Sequence, residues 1–288
     1  MSRFLEKMAG FLDTQPFDVI RISEIYDGGE PETLERIPGN RCQDVYSSAK
    51  AFTMTAIGIL VGRGLMSVSD KVTDLLAEEI APYRDEIDPR WDGVTVETAI
   101  KYRSGLPGGF LDIDCLDANE WGEDHLRYMF TYPLAYDPGT EERYNDGTYY
   151  MLARIAEKVS GMPADAFMWK EMLYPMGFSE AAFSRCPLGH IIGGSGLYIS
   201  GPDYAKFGEL YRAGGVWKGR RILTEEWVAA VLEKEYVFDW DDTHVLYFKG
   251  GMYGQKVIVH PGQKRVVAMQ SYGGDSGAVM EFVRGYED

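Results

Sequence analysis

Residues 45–64 read VYSSAKAFTMTAIGILVGRG and combine a buried helix with two side chains that can do chemistry. From Lys50 onward the stretch is rich in Ala, Ile, Leu and Met, and it ends at Gly64, which is typical of a helix in a protein core. If Ser47 opens this helix, Ser47 and Lys50 lie one turn apart on the same face. A lysine beside a serine hydroxyl can act as its general base when burial or another cation lowers the pKa of the lysine.

The Ser-x-x-Lys spacing is a weak signal by itself, because an N-cap serine followed by a surface lysine also produces it. The residues around this motif favour a catalytic role for the serine and the lysine. Val45 and Tyr46 are apolar residues before the serine, and a lysine at the start of an apolar helix is costly to bury without a purpose. Of the two adjacent serines, only Ser47 is followed by a lysine at the third position.

A second candidate motif is Tyr144-Asn145-Asp146, which precedes a predicted helix. A tyrosine at this position can share a proton with Lys50 and the nucleophile. An ordinary half-buried tyrosine next to an aspartate that caps the helix is the alternative interpretation.

A third candidate motif is Lys249-Gly250-Gly251, on a predicted strand near the end of the sequence. Two glycines weaken a strand, so they often mark the close approach of another backbone or of a ligand. A bulge or a bend in the strand would also explain them.

Together and in this order, the three motifs resemble those of the serine β-lactamase and penicillin-binding protein superfamily, whose signature is S-x-x-K, then S-D-N, then K-T-G. The class C β-lactamase-like branch, with related esterases and D-amino-acid peptidases, carries Y-x-N as the second motif, and residues 144–146 resemble a variant of it. The resemblance runs from about residue 46 to 269. Its further segments are residues 94–109, 144–163, 171–178 and, most closely, 193–228.

The resemblance and the order of the predicted elements imply an α+β fold of the β-lactamase/transpeptidase type. We expect a single domain over residues 1–288, with one antiparallel sheet built from both termini and an inserted, mostly helical lobe. The sheet lobe would comprise about 1–46 and 190–288 and the helical lobe about 47–189, with a ligand groove between them. The predicted strands are residues 17–25, 33–37, 244–249, 255–260 and 265–271.

The resemblance also implies an acyl-enzyme mechanism. Ser47 would be the acylated nucleophile, and Lys50 and Tyr144 would handle its proton and the proton delivered to the leaving group. The backbone N–H groups of Ser47 and Met252 would form the oxyanion hole, and water would then hydrolyse the acyl-enzyme. Substrate would be held by Asp146, Lys249, Gly250 and Gly251.

Two departures from the family pattern bear on the substrate. Asp146 stands where an asparagine is expected, so its carboxylate would stabilise a charged Lys50 and could not donate a hydrogen bond when ionised. Gly250 replaces a hydroxyl residue that, in the family, helps to bind a substrate carboxylate. Both changes argue against a substrate that carries a carboxylate.

Composition narrows the remaining possibilities. The chain of 288 residues has 29 Lys and Arg against 45 Asp and Glu, a formal charge of −16, which argues against nucleic acid or an anionic membrane as a partner. Cys42, Cys115 and Cys186 form no CxxC pair, and the four histidines are scattered, so we expect neither a metal nor a cofactor. An apolar run of signal-peptide length is not found at the start, so we expect a cytoplasmic location.

These observations predict a serine hydrolase of the class C β-lactamase-like family, of esterase or amidase type, acting on a small molecule or a short peptide. A β-lactamase or a D-amino-acid peptidase is one alternative. A catalytically weak binding or sensor protein that keeps the fold is another, because fold alone does not determine function. The sequence leaves the oligomeric state open.

Overall fold

A computed structural model describes residues 1–114 and 118–287 of the chain, and these fall into two compact units. The sheet unit comprises Met1–Ser48, Leu173–Ala182 and Leu197–Asp288, and the helical unit comprises Ala49–Met172 and Phe183–Gly196. The lobe bounds given above from the sequence stay a prediction. Cys115 lies outside the described residues.

Strands occur near both ends of the sequence and helices lie mainly between them. The strands are β1 Arg21–Tyr26, β2 Glu32–Glu35, β3 Cys42–Asp44, β4 Ala181–Phe183, β5 Leu197–Ser200, β6 Val216–Trp217, β7 Arg220–Arg221, β8 Asp239–Trp240, β9 Tyr247–Gly250, β10 Lys256–His260 and β11 Arg265–Gln270. The helices are α1 Arg3–Leu12, α2 Ala49–Gly62, α3 Val72–Leu75, α4 Ala77–Ile80, α5 Val96–Ile100, α6 His125–Thr131, α7 Gly147–Ser160, α8 Ala164–Met168, α9 Gly201–Arg212, α10 Glu225–Glu233 and α11 Ser276–Gly285.

The sheet unit is built on a six-stranded sheet in the order β2-β1-β11-β10-β9-β8. Its pairings are antiparallel, and the strand nearest the start of the sequence pairs with the last one, with Ile22 opposite Met269. β10 and β11 form a hairpin around Pro261-Gly262, with His260 opposite Arg265. The predicted α+β fold, with one antiparallel sheet drawn from both ends of the chain, is confirmed.

The core of the sheet unit joins the sheet to α1 and α11. Burying each large apolar side chain contributes about 1.5–3 kcal/mol. We did not predict α11, which begins where the Asp275 side chain accepts from the amides of Gly277 and Ala278. The core residues are Phe4, Leu5, Met8, Leu12, Val19, Ile22, Leu246, Ile258, Val267, Met269, Val279, Val283 and Tyr286.

Helix α9 packs closely against β1, β10 and β11 within the same unit. A Cβ at Gly208 would lie 2.6 Å from the side chains of Val257 and Val266, so the glycine allows the helix to approach the sheet. The side chain of Ser200 caps the helix by accepting from the amide of Asp203, a common role for serine at this position. This packing fixes α9 against the strands next to β9.

The helical unit is organised around α2, which is apolar on every side and buried over nearly its whole length. α2 packs against α7 and α8, and α5 packs against α7. Within residues 1–114 and 118–287, every helix is too short or too polar to cross a membrane. The cytoplasmic location stays a prediction.

Candidate active site

The candidate residues are divided between the two units, and each group is described within its own unit. Ser47, Lys249, Gly250, Gly251 and Met252 belong to the sheet unit. Lys50, Tyr144 and Asp146 belong to the helical unit.

Ser47 lies in the short 3-10 turn Tyr46–Ser48, from which the chain continues into α2. The turn starts with an unusual backbone: Tyr46 has φ 47°, a conformation rare for a bulky residue. The Tyr46 amide donates to Asp44 Oδ1 at 2.7 Å, and the Ser48 amide donates to the Val45 carbonyl at 3.0 Å. These bonds hold the turn, and Ser47 within it is half-buried.

The adjacent serine has a different environment. Ser48 is buried, its Oγ accepts from the Tyr204 hydroxyl at 2.5 Å, and it donates to the main-chain carbonyl of Lys249 at 3.3 Å. Burial raises the pKa of Tyr204, which keeps its proton for this bond. Ser48 therefore ties the turn to α9 and β9.

Sequence reasoning did not identify Tyr204, although one signal was available. A tyrosine on the buried face of a helix needs a partner for its hydroxyl. The sequence could not show that the partner is Ser48, because the two residues are 156 positions apart.

The third motif lies on β9 and the turn that follows it. Lys249 is buried and stands opposite Val257 in the β9–β10 pair. A Cβ on Gly251 would lie 2.2 Å from the Val45 carbonyl oxygen, so only glycine fits there. At Gly250 the nearest atom to a Cβ would be Lys256 Cε at 3.4 Å, which is an ordinary contact. The close backbone approach expected from the two glycines therefore occurs at Gly251, and position 250 has room for a side chain.

Met252, the second candidate for the oxyanion hole, begins the 3-10 turn Met252–Gly254 directly after these glycines. The Gly251 amide donates to the Gln255 carbonyl at 2.7 Å, which closes this turn. The turn thus follows the one position of the motif at which glycine is sterically required.

In the helical unit, Lys50 is fully buried in the first turn of α2. Its ammonium donates to the Asp146 carboxylate and, at 2.9 Å, to the carbonyl of Gly194. It also lies 4.6 Å from the centroid of the Tyr144 ring, a cation–π contact. The lysine side chain is thus contacted from at least three directions.

Tyr144 presents its ring face to this ammonium and is itself 42% exposed. Its ring also packs on that of Tyr102, with the centroids 4.9 Å apart. The structure therefore brings Lys50, Tyr144 and Asp146 together, as the motif order suggests.

Asp146 is positioned through its backbone. Its amide donates to Asp112 Oδ1 at 2.8 Å and to the Phe110 carbonyl at 3.0 Å. Burial, with a smaller contribution from the Asp146 charge, raises the pKa of Asp112 to about 6. Sequence reasoning missed Asp112 because its contact with Asp146 depends on the path of the intervening chain.

Asp146 occupies the N-cap position of the helix after the second motif. Asn145 is buried, and its Oδ1 accepts from the amide of Thr148 at 2.8 Å. The Asp146 side chain makes no capping bond to α7. Asp146 therefore stands at the helix cap, as the alternative interpretation expects, but its carboxylate pairs with Lys50 and not with the helix amides.

Two glycines complete the surroundings of Lys50. Gly193 has φ 73°, and a Cβ there would lie 2.6 Å from the Tyr149 carbonyl oxygen. Its own carbonyl accepts from Thr53 Oγ1 at 2.8 Å. A Cβ at Gly194 would lie 3.0 Å from Asp146 Cγ. Glycines here let the backbone come close enough for its carbonyls to bind α2.

Among residues 1–114 and 118–287, His, Cys, Asp and Glu side chains form no group of three or more suited to a metal ion. Cys42 and Cys186 are free thiols. The expected lack of a metal and a cofactor stays a prediction.

Residues 26–282 match the beta-lactamase family, and the chain belongs to that family. A solved penicillin binding protein from Bacillus halodurans has a TM-score of 0.72 and 16% identity, and the match covers 98% of this chain and 99% of that chain. This likeness shows a shared fold.

Two curated relatives are similar in sequence over part of their length. N-acetylmuramyl-L-alanine amidase of Bacillus subtilis (strain 168) is 27% identical over 146 residues, or 49% of this chain and 33% of the amidase. Lovastatin esterase of Penicillium rubens (strain ATCC 28089 / DSM 1075 / NRRL 1951 / Wisconsin 54-1255) is 29% identical over 153 residues, or 48% of this chain and 38% of the esterase. The matched part is thus about a third of each relative.

Proposed function

We propose that the chain is a serine hydrolase that cleaves small uncharged esters or amides through an acyl-enzyme on Ser47. The observation that carries this proposal is the fully buried Lys50, three positions after Ser47 and paired with Asp146. A buried ion pair is often no more stabilising than a hydrophobic replacement, so stability alone gives little reason for it. Family membership supports the same function.

The first half of the reaction forms the acyl-enzyme. Ser47 Oγ attacks the substrate carbonyl carbon, and its proton passes to the Lys50–Tyr144 pair. The backbone N–H groups of Ser47 and Met252 donate to the oxyanion that develops. The same proton then goes to the departing alkoxide or amine as its bond to the acyl carbon breaks.

The second half releases the acid. A water molecule attacks the acyl carbon and gives a proton to the same pair. The pair returns that proton to Ser47 Oγ as the bond between this oxygen and the acyl carbon breaks. In both halves Lys249 holds the substrate and adds positive charge near the oxyanion. Ser48 does not take part, because its hydroxyl is engaged with Tyr204 and with the Lys249 carbonyl.

The preference for an uncharged substrate follows from two residues. Gly250 offers no hydroxyl to a substrate carboxylate, and the carboxylate of Asp146 repels one. The similarity to a lovastatin esterase and to an amidase is compatible with ester and amide substrates.

Two other functions remain as named alternatives. Hydrolysis of β-lactams or D-amino-acid peptides would use the same nucleophile on another substrate. A binding or sensor protein that keeps the fold is the other alternative, because fold alone does not determine function.

Turnover of a short-chain ester and of its amide by the purified protein tests the proposal. We expect hydrolysis by the wild type and loss of at least 100-fold in kcat/KM in Ser47→Ala. A folded wild type that turns over neither compound, nor a penicillin, would overturn the proposal and favour the binding role. Turnover of the penicillin alone would favour the β-lactamase alternative.

A further inference from the structure

We propose that Tyr46, Tyr253 and Tyr272 form a surface that binds a flat, uncharged aromatic group of the substrate. We refer to these three residues as the tyrosine cluster. The inference rests on the proposed function, which it deepens by naming a substrate class. All three residues lie in the sheet unit.

The three rings contact one another directly. The ring centroids of Tyr253 and Tyr272 are 5.4 Å apart with planes 23° from parallel, and those of Tyr46 and Tyr253 are 5.3 Å apart, edge to face. The hydroxyls of Tyr46 and Tyr272 are 3.1 Å apart and share a hydrogen bond. Such contacts hold the rings in fixed orientations before any ligand arrives.

The cluster is nevertheless open to solvent. Tyr253 is 50% exposed and Tyr272 is 65% exposed, and Tyr46 is half-buried. Burial of Tyr46 and its bond to Tyr272 raise the pKa of its hydroxyl, so Tyr46 is uncharged at neutral pH. An ordered aromatic surface that stays exposed is typical of a binding site.

Two members of the cluster also have costly backbone conformations. Tyr46 has φ 47° and Tyr253 has φ 60°, in the left-handed region that bulky residues rarely adopt. Such conformations cost about 1–3 kcal/mol and concentrate at functional sites. Glycine or asparagine would adopt them more easily, so fold stability does not explain tyrosine at these positions.

Hydrogen bonds connect the loop that carries Tyr253 to the loop that carries Tyr272. The Gly273 amide donates to the Tyr253 carbonyl at 2.9 Å, and the Gln255 side chain donates to the Ser271 carbonyl. A Cβ at Gly254 would lie 2.5 Å from the Gly274 carbonyl oxygen, so these two loops are in close contact. The surface is therefore rigid enough to select a shape.

The position of the cluster in the chain links it to the proposed chemistry. Tyr46 immediately precedes Ser47, the proposed nucleophile, and Tyr253 immediately follows Met252, the proposed oxyanion donor. A substrate ring that stacks on the cluster would belong to the molecule whose carbonyl group reaches Ser47 and Met252. Tyrosine faces stack well with flat rings and offer no partner to a carboxylate.

Ester pairs that differ only in the planarity of one ring test this inference. One pair carries the ring in the acyl part, ethyl phenylacetate and ethyl cyclohexylacetate, and the other in the alcohol part, benzyl acetate and cyclohexylmethyl acetate. We expect the wild type to prefer the flat ring in kcat/KM in at least one pair. Aromatic contacts of this kind correspond to about 2- to 10-fold in affinity.

Variants assign the preference to the cluster. We expect Tyr272→Ala and Tyr253→Asn to lose the preference, and asparagine is chosen because it tolerates the left-handed backbone. Tyr174→Ala is the matched control, since Tyr174 is 78% exposed elsewhere in the same unit. A wild type without the preference, or variants that keep it, would overturn the inference.

Binding without turnover separates this inference from the proposed function. In Ser47→Ala, saturation-transfer NMR should show stronger contact with benzyl acetate than with cyclohexylmethyl acetate, and Tyr272→Ala in that background should remove the difference. If the wild type does not hydrolyse the esters but the preference for the flat ring is still seen in binding, only the proposed hydrolase function is contradicted. Hydrolysis by the wild type, together with ring binding that Tyr272→Ala leaves unchanged in the Ser47→Ala background, would contradict only the role of the cluster.

Self-association is a separate outcome, measured by sedimentation velocity. Self-association that Tyr272→Ala abolishes would identify a second copy as the occupant of the cluster and overturn the inference.

Discussion

Lys50 and Asp146 form an ion pair within the helical unit, with side chains 0% and 5% exposed. A family pattern with asparagine at this position would leave the lysine without a carboxylate partner. The pair places a carboxylate against the proposed base, and it is the feature by which this chain departs most clearly from the pattern it resembles.

Asp146→Asn should raise activity toward amide or lactam substrates. The variant removes the carboxylate that stabilises the charged lysine, and it supplies an amide that can donate to a substrate carbonyl. We expect an increase of about tenfold in kcat/KM, which corresponds to about 1.4 kcal/mol of transition-state stabilisation. Nitrocefin turnover measures this, with Ser47→Ala in the same background as the blank. Unchanged or lower turnover would contradict this account of Asp146.

The two glycines of the third motif, Gly250 and Gly251, should differ sharply in how well they tolerate substitution by alanine. Gly251→Ala forces a Cβ to within 2.2 Å of the Val45 carbonyl oxygen, whereas Gly250→Ala makes a 3.4 Å contact with Lys256. Overpacking of this kind costs about 1–3 kcal/mol, which lowers Tm by about 2–10 °C. Gly250→Ala should leave Tm unchanged or raise it slightly, because alanine restricts the unfolded chain. Equal Tm values for the two variants in thermal unfolding would contradict the assigned close approach.

Asp112 should make the stability of the fold depend on pH. Its pKa is raised to about 6 in the folded protein, whereas an unfolded aspartate titrates at about 3.9. Between these values the folded state binds more protons than the unfolded state, so the contribution of Asp112 to the free energy of unfolding falls as pH rises.

Asp112→Asn removes this dependence while keeping an oxygen that can accept from the Asp146 amide. The free energy of unfolding of the variant should rise relative to that of the wild type by about 1 kcal/mol between pH 5 and pH 7.5, allowing for partial solvent exposure. Urea unfolding at both pH values measures it. A difference between the two proteins that stays constant with pH would show that Asp112 has an ordinary pKa.

Local features of the fold were predictable from the sequence. Ser200 and Thr224 are followed by helices and do cap them, because a capping bond depends on residues three positions apart. Helix α11 was not predicted, since its ten residues contain two glycines and have little helical preference of their own. Packing of Val279 and Val283 in the core provides its stability instead.

The residues of the candidate site likewise include some that the sequence could identify and some that it could not. Ser47 and Lys50 could be proposed from their spacing, and Asp146 from the motif that contains it. Tyr204 and Asp112 could not, because their contacts with Ser48 and with the Asp146 amide join segments far apart in sequence. The tyrosine cluster combines residues 46, 253 and 272 and likewise needs the folded sheet unit.

The most direct test of the central claim is the intact mass of the protein after incubation with an activated ester, a fluorophosphonate and a penicillin. We expect a covalent adduct with at least one probe, located on Ser47 by peptide mapping, present in Ser48→Ala and absent from Ser47→Ala. An adduct that survives in Ser47→Ala, or no adduct with any probe on folded wild-type protein, would contradict an acyl-enzyme on Ser47.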